Sequence, residues 1–431
     1  MPVSNLREII LDILLTIFKD GVYSNIAIHN ALEKVQYFSK RDRAFITKVC
    51  EGTVERLIEL DYCISRYSTL PVPRMKPVIQ NILRMSTYQI LYMDSVPNAS
   101  AVNEAVRLAQ TRGFYNLKGF VNGVLRNIAR NAGTIEYPSA DKEPVSYLSV
   151  TYSVPEWLAE AWLNEYGMIV AEKMFASFLK VRPTTIRLKT SRVNREDILN
   201  SLRNQGVTVK KAPYLPYAYN ISDYNYLPAL DAFMKGLIFP QDVSSMLVAE
   251  AAAPRQGDYV IDVCAAPGGK SLHIADKMAS YGMVEARDLS EEKVALIVQN
   301  VTRADLINIR PVVMDALMHD QESEEKADIK YRITPAMIQE LQELQRRILH
   351  NAVSYVRPGG TLIYSTCTVS RMENEENVRW LTENYPLTPD SLDPYLPHEL
   401  HRHTTSEGYI QLIPGIHECD GFFIARFRKN E

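Results

Sequence analysis

The sequence predicts a multidomain fold of three parts: an all-α domain over residues 1–140, a linker and small α+β subdomain over 141–235, and a doubly wound α/β domain over 236–431. Three textures predict it. Apolar residues recur every three or four positions from Asn5 to about Asn131; helix and strand patterns mix from 153 to 235; short apolar strands alternate with helices from Gly236 onward.

In the first part, Ile9, Ile13, Leu14 and Phe18 mark one helix face, and Ile46, Val49, Val54, Leu57 and Leu60 another, with Ser39 and Asp42 placed to cap it. Gly133, Pro138 and Pro144 break the pattern, so 131–152 is expected to be a linker. The second part predicts helices Pro155–Tyr166, Ile169–Leu179 and Arg195–Gln205 and strands Thr184–Leu188 and Val207–Lys211. In the third, strands are expected at Tyr259–Cys264, Met283–Arg287, Ile309–Met314, Gly360–Thr366 and Gly421–Phe427.

With 431 residues, 46% hydrophobic and 23% charged, the chain has ordinary globular composition. It carries no apolar run long enough for a membrane span, and Arg7, Glu8 and Asp12 interrupt the opening segment as on an amphipathic helix, so a cytoplasmic protein is expected, with no membrane partner. Five cysteines without metal-ligand spacing fit a reducing compartment and no metal. Residues 1–140 hold 17 Lys+Arg against 12 Asp+Glu, although the whole chain has net charge −3, which points the N-terminal part toward a polyanion.

The sharpest local pattern is Tyr259-Val-Ile-Asp-Val-Cys-Ala-Ala-Pro-Gly-Gly-Lys-Ser271, a strand breaking into a glycine turn and then a helix. Such a turn offers free amide donors and close backbone approach to a nucleotide-type ligand. It is neither GxGxxG nor a P-loop, since the earlier glycine is absent. Asp288, ending the second strand, is placed to take ribose hydroxyls, and Asp315, after the third, faces the adenine side.

These residues carry a family resemblance. Asp262-Val-Cys-Ala-Ala-Pro-Gly-Gly-Lys270 resembles motif I of the RsmB/Sun branch of RNA 5-methylcytosine methyltransferases. Phe239-Pro-Gln-Asp-Val-Ser-Ser-Met246 is similar to the segment before it, Tyr364-Ser-Thr-Cys-Thr368 to motif VI, and Asp420-Gly-Phe-Phe-Ile-Ala-Arg426 to the closing motif. Asp42-Arg-Ala-Phe45, Val96-Pro-Asn98, Asn103-Glu-Ala-Val106 and Phe120-Val-Asn-Gly-Val-Leu-Arg126 resemble NusB, an RNA-binding factor. The resemblance implies a NusB-like N-terminal domain and a Rossmann-type methyltransferase domain. It implies S-adenosyl-L-methionine held by Cys264, Ala265, Ala266, Pro267, Gly268, Gly269, Lys270, Asp288 and Asp315, and a cytosine of small-subunit ribosomal RNA as substrate. A monomer is expected.

Carbon 5 of cytosine is a poor nucleophile, so methylating it requires a thiolate to add at carbon 6 first. Cys367 suits that role, since it is expected to end the strand after Pro358-Gly-Gly360, at the same sheet edge as the cofactor turn. An ordinary thiol, with pKa about 8.5, needs activation to act at neutral pH. Cys264 reads as a packing residue of the turn, and Cys50, Cys63 and Cys419 as structural. Arg41, Arg43, Lys118 and Arg126 are candidates for holding RNA phosphates. A methyltransferase for exocyclic amines or protein would instead need an Asn-Pro-Pro-Tyr type pocket and no cysteine.

One departure stands out. The family's fourth motif, Asp-x-Pro-Cys-Ser, whose aspartate contacts the cytosine and whose cysteine helps expel the nucleophile, is missing. Between Asp315 and Tyr331 the chain reads ALMHDQESEEKADIK, with no apolar strand, before Thr334-Pro335 starts a helix whose expected inner face is Leu341, Leu344, Ile348 and Ala352. A strand with its loop would require roughly 20 residues more. A parallel sheet lacking a central strand exposes unpaired backbone, so the expectation is that the sequence as read skips this stretch; if the motif is truly deleted, the alternative reading is a catalytically inactive RNA-binding or ribosome-assembly factor.

Overall fold

A computed structural model describes residues 5–180, 182–189, 191, 193–317 and 334–431. The chain divides into two compact units, split after Leu179.

Among the described residues the regular elements of the first unit are all helices: α1 (Leu6–Phe18), α2 (Ser24–Lys34), α3 (Lys40–Glu55), α4 (Leu57–Tyr67), α5 (Pro77–Tyr92), α6 (Asn98–Thr111), α7 (Lys118–Asn131), α8 (Pro144–Tyr152) and α9 (Glu156–Phe178). Ser39 caps α3 as expected, its hydroxyl accepting from the Asp42 N–H at 3.1 Å. The predicted faces close on one core, where Ile13, Leu14, Ile46, Val49 and Leu60 are all buried together. α5 lies deepest in this unit, with Asn81 to Ile90 buried without a break.

The stretch 131–152 is not the loose linker expected. Pro144 occupies the first turn of α8, where a missing N–H costs nothing, and so starts a helix there instead of breaking one. α4 has no capping side chain of its own. Ser153 supplies one, its hydroxyl accepting from the Ile58 N–H at 2.9 Å, while Tyr137 donates to the buried Glu59 at 2.8 Å. These bonds extend the unit beyond residue 140. α9 bends at Gly167, whose φ of 73° interrupts the helical run, close to the break between the two expected helices.

The second unit opens with β1 (Thr184–Leu188), α10 (Arg195–Asn204), β2 (Thr208–Lys211), β3 (Ala218–Ser222), α11 (Asp231–Met234) and β4 (Ile238–Pro240). The four strands form an antiparallel sheet in the order β2-β3-β1-β4, so the small subdomain is α+β.

α12 (Val243–Ala252) leads into β5 (Tyr259–Asp262), α13 (Gly269–Lys277), β6 (Met283–Asp288), α14 (Glu291–Ala304) and β7 (Ile309–Val313), with β5-β6-β7 a parallel sheet. The chain continues through α15 (Pro335–Tyr355), β8 (Thr361–Thr366), α16 (Glu375–Asn384), β9 (Leu387–Pro389), α17 (His403–Ser406), β10 (Tyr409–Leu412) and β11 (Phe422–Lys429). β11 pairs antiparallel with β8, β9 and β10. Among the described residues no strand joins β5 to β8, so the expected continuous sheet is divided in two.

The division has a packing consequence. Of the inner face expected for α15, Leu341, Leu344 and Ile348 are only partly buried, whereas Ala352 is covered. The buried residues are Gln342, Leu349, Ala352 and Val353, with the last three packed on Phe423, Ala425 and Phe427 of β11. The expected strandless stretch after Asp315 lies outside the described residues from 318 onward.

Candidate active site

β5, β6 and β7 run parallel, so the glycine turn, Asp288 and Asp315 all lie at one sheet edge. Asp288, nearly buried, holds the turn directly: one carboxylate oxygen accepts from the Ala266 N–H at 2.8 Å and the other from the Leu289 N–H at 2.8 Å. Asp262 braces the turn from below, accepting from the Ser271 hydroxyl at 2.6 Å and from the Cys264 N–H at 3.3 Å. Asn300 closes the far side by donating to the Pro267 carbonyl at 2.9 Å.

Gly268 has φ +103°, a conformation that disfavours side chains, and a Cβ there would lie 2.6 Å from Leu272. At Gly269, by contrast, an added Cβ would meet only Gln241, at 4.0 Å. Gly268 is thus required by the turn itself, while Gly269 leaves open space over a helix N-terminus. That open cradle and the adjoining acidic side chain fit the nucleoside portion of S-adenosylmethionine. Asp315 accepts locally from the Leu317 N–H at 2.7 Å.

Although Cys264 is exposed, desolvation by the protein around it, reinforced by Asp262 and Asp288, pushes its thiol up to about 12, against a smaller opposing pull from Lys270. A thiol held protonated is a poor nucleophile. Cys367, also exposed, lies just past the end of β8. Its neighbours Thr366 and Thr368 are both hydrogen-bonded to Asn374, at 2.5 and 3.0 Å. Thr368 also donates to the buried Glu373 at 3.2 Å, and burial holds that carboxyl above the usual carboxylate range. Gly421 of the closing motif lets the chain approach this loop: a Cβ there would lie 2.9 Å from Val369. Arg426 of the same motif is buried and donates to the Ala251 carbonyl at 2.6 Å and to Asp390 at 2.8 Å, fixing β11 to the end of α12.

Sequence reasoning missed Asp262, Asn374 and Gln411, whose Oε1 accepts from Asn374 at 2.7 Å, as members of these frameworks. Asp262 carried a signal, since it ends the strand before the turn. Asn374 and Gln411 carried none, because they meet only in the folded chain.

In the helical unit, two segments singled out by sequence come together. Arg41, Ala44, Phe45 and Lys48 of α3 and Met93, Ser95 and Val96 line a cavity of about 280 Å³. Arg43 is partly buried, Arg126 is exposed, and Lys118 sits over the Tyr115 ring at 3.8 Å.

Comparison with known proteins places these features. Residues 4–130 match the NusB family, 154–224 the ferredoxin-like domain of RsmF/B-like methyltransferases, and 249–328 together with 322–428 the 16S rRNA methyltransferase RsmB/F family. A probable ribosomal RNA small subunit methyltransferase B of Bacillus subtilis is 34% identical over 453 aligned positions, covering 100% of both chains. The chain belongs to the RsmB/F family of 16S rRNA methyltransferases. The crystal structure of PH0851 shares its fold, with TM-score 0.77 and 22% identity over 99% of each chain. That of NSun6 from Pyrococcus horikoshii with SFG has TM-score 0.58 at 22% identity, covering 64% of this chain and 98% of its own. The family match breaks into two pieces at 322–328, and the Bacillus alignment is longer than the 431 residues here. The break falls where the fourth motif is missing.

Proposed function

We propose that this chain methylates carbon 5 of a cytosine in small-subunit ribosomal RNA, using S-adenosylmethionine at the turn Cys264–Lys270 with Asp288 and Asp315, and Cys367 as nucleophile. The observation that carries the reading is the placement of Cys367: it is exposed just beyond the end of β8, with Thr366 and Thr368 on either side both bonded to Asn374.

The Cys367 thiolate adds to carbon 6 of cytosine, and the ring electrons move to carbon 5. S-adenosylmethionine, when bound, supplies an electrophilic methyl group to that carbon. Loss of the carbon 5 proton and elimination from carbon 6 then return the thiolate. The target base must leave any stack, at least cost in an unpaired segment, and Arg41, Arg43, Lys118 and Arg126 are proposed to hold the flanking phosphates.

A second reading is favoured by the division between β5 and β8. In the family pattern the missing fourth motif supplies the aspartate on the base and the cysteine that aids release. A chain without it would bind RNA and cofactor without turnover.

The test is transfer of isotopically labelled methyl from S-adenosylmethionine to deproteinised small-subunit RNA, followed by nucleoside mass spectrometry. Label in 5-methylcytidine supports the enzyme, and label in another nucleoside contradicts the cytosine assignment. RNA binding with no label supports the inactive factor.

A further inference from the structure

We infer that Asn374 is a positioning residue that sets the aim of Cys367; the inference rests on the reading of Cys367 as nucleophile. Asn374 is fully buried. Its Oδ1 accepts from the Thr366 hydroxyl at 2.5 Å, and its Nδ2 donates to the Thr368 carbonyl at 3.0 Å and to Gln411 Oε1 at 2.7 Å. One side chain therefore grips the residues on both sides of Cys367.

The place is significant. β8 ends at Thr366, where the ladder with β11 stops at the Thr366–Phe423 pair, so Cys367 lies just beyond the sheet. Asn374 ties the last residue of the strand to the loop that follows it. Its own backbone N–H reaches the Ser370 carbonyl at 3.1 Å, and Ser370 N–H returns to the Thr368 hydroxyl at 3.1 Å, closing the loop on itself. Gln411 is in turn oriented by donating to the Phe422 carbonyl at 3.0 Å, which links the frame to β10 and β11.

The chemistry calls for an amide. A donor and an acceptor are both used, and no charge is placed beside the cysteine. An aspartate of the same shape would set carboxylate oxygens against the Thr368 carbonyl and Gln411 Oε1, and Gln411 could not turn without losing Phe422. The added negative charge would also disfavour the Cys367 thiolate.

The experiment is alkylation of the full-length protein by iodoacetamide across pH, followed peptide by peptide with Cys264 as internal reference. For Asn374→Asp the expected result is a fall in Cys367 labelling on the order of 10- to 100-fold, a pH midpoint moved upward, and Cys264 labelling unchanged. Thr366→Val, which removes one hydroxyl only, should lower Cys367 labelling less and in the same direction. A folded Asn374→Asp protein that labels Cys367 as the parent does, with the same pH midpoint, overturns the inference. If Asn374→Asp does not fold, Thr366→Val decides, and an unchanged rate overturns it equally. Methyl transfer surviving Cys367→Ala would instead remove the nucleophile reading, a result separable from the labelling outcome.

Discussion

Asp288 accepts the backbone N–H of Ala266 at 2.8 Å, so the carboxylate ending β6 shapes the turn that follows β5. This bond makes the acidic residue a structural part of the proposed cofactor site as well as a candidate partner for ribose. Asp288→Ala leaves two N–H groups without their acceptor, at a cost of about 1–3 kcal/mol for each that stays dry. Thermal unfolding should show a lowered midpoint, and calorimetric titration should show S-adenosylmethionine affinity reduced more than about tenfold. Unchanged affinity would remove Asp288 from the site.

The two exposed cysteines should separate cleanly. Cys264→Ala is expected to keep cofactor binding and most methyl transfer, since the thiol is held protonated. Cys367→Ala should bind cofactor and RNA with near-parent affinity and show no transfer above background. The reverse pattern would exchange the roles assigned to them.

His273 lies buried in α13, with burial as the main cause and Arg187 and Lys277 as added ones for a pKa well below the usual imidazole value. In the unfolded chain it titrates near its ordinary value of about 6.5. Below that pH the unfolded state binds a proton that the folded state refuses, so stability is full above about 6.5 and falls as the pH drops. One such proton contributes a slope of up to about 1.4 kcal/mol per pH unit. Urea unfolding at pH 7.5 and 5.5 should show a smaller loss in His273→Leu than in the parent, and equal losses would exclude this contribution.

Strand edges give a further expectation. Among the described residues β6 is paired on both sides, whereas β5 is paired only with β6. Amide hydrogen exchange should therefore protect Met283–Asp288 more strongly than Tyr259–Asp262. Equal protection of both strands would mean that β5 acquires a second neighbour.

Most of the architecture was readable because it rests on periodicity. Ile13 and Leu14 of α1, Ile46, Val49 and Val54 of α3, and Val284, Ala286 and Ile309 of the parallel strands are buried where the pattern marks them, while Tyr259 and Val313 stay exposed. The short strands β3, β4, β9 and β10 escaped, since three to five residues give little alternation to read. The stretch 131–152 misled because Pro144 and Ser153 act through position: one starts α8 and the other caps α4, across a distance in sequence that local rules do not span. Within the site, the turn was legible as a contiguous motif, while Gln411 on β10 meets Asn374 and Thr368 only through the pairing of β11 with β10 and β8.

The most direct test of the central claim is covalent trapping with small-subunit RNA carrying 5-fluorocytidine in the presence of S-adenosylmethionine. Fluorine at carbon 5 cannot leave as a proton does, so addition and methylation should leave the RNA bonded to the protein. The account predicts a denaturation-resistant adduct whose peptide contains Cys367 and which Cys367→Ala does not form. No adduct from the parent chain under conditions where RNA and cofactor both bind, or an adduct persisting in Cys367→Ala, would contradict it.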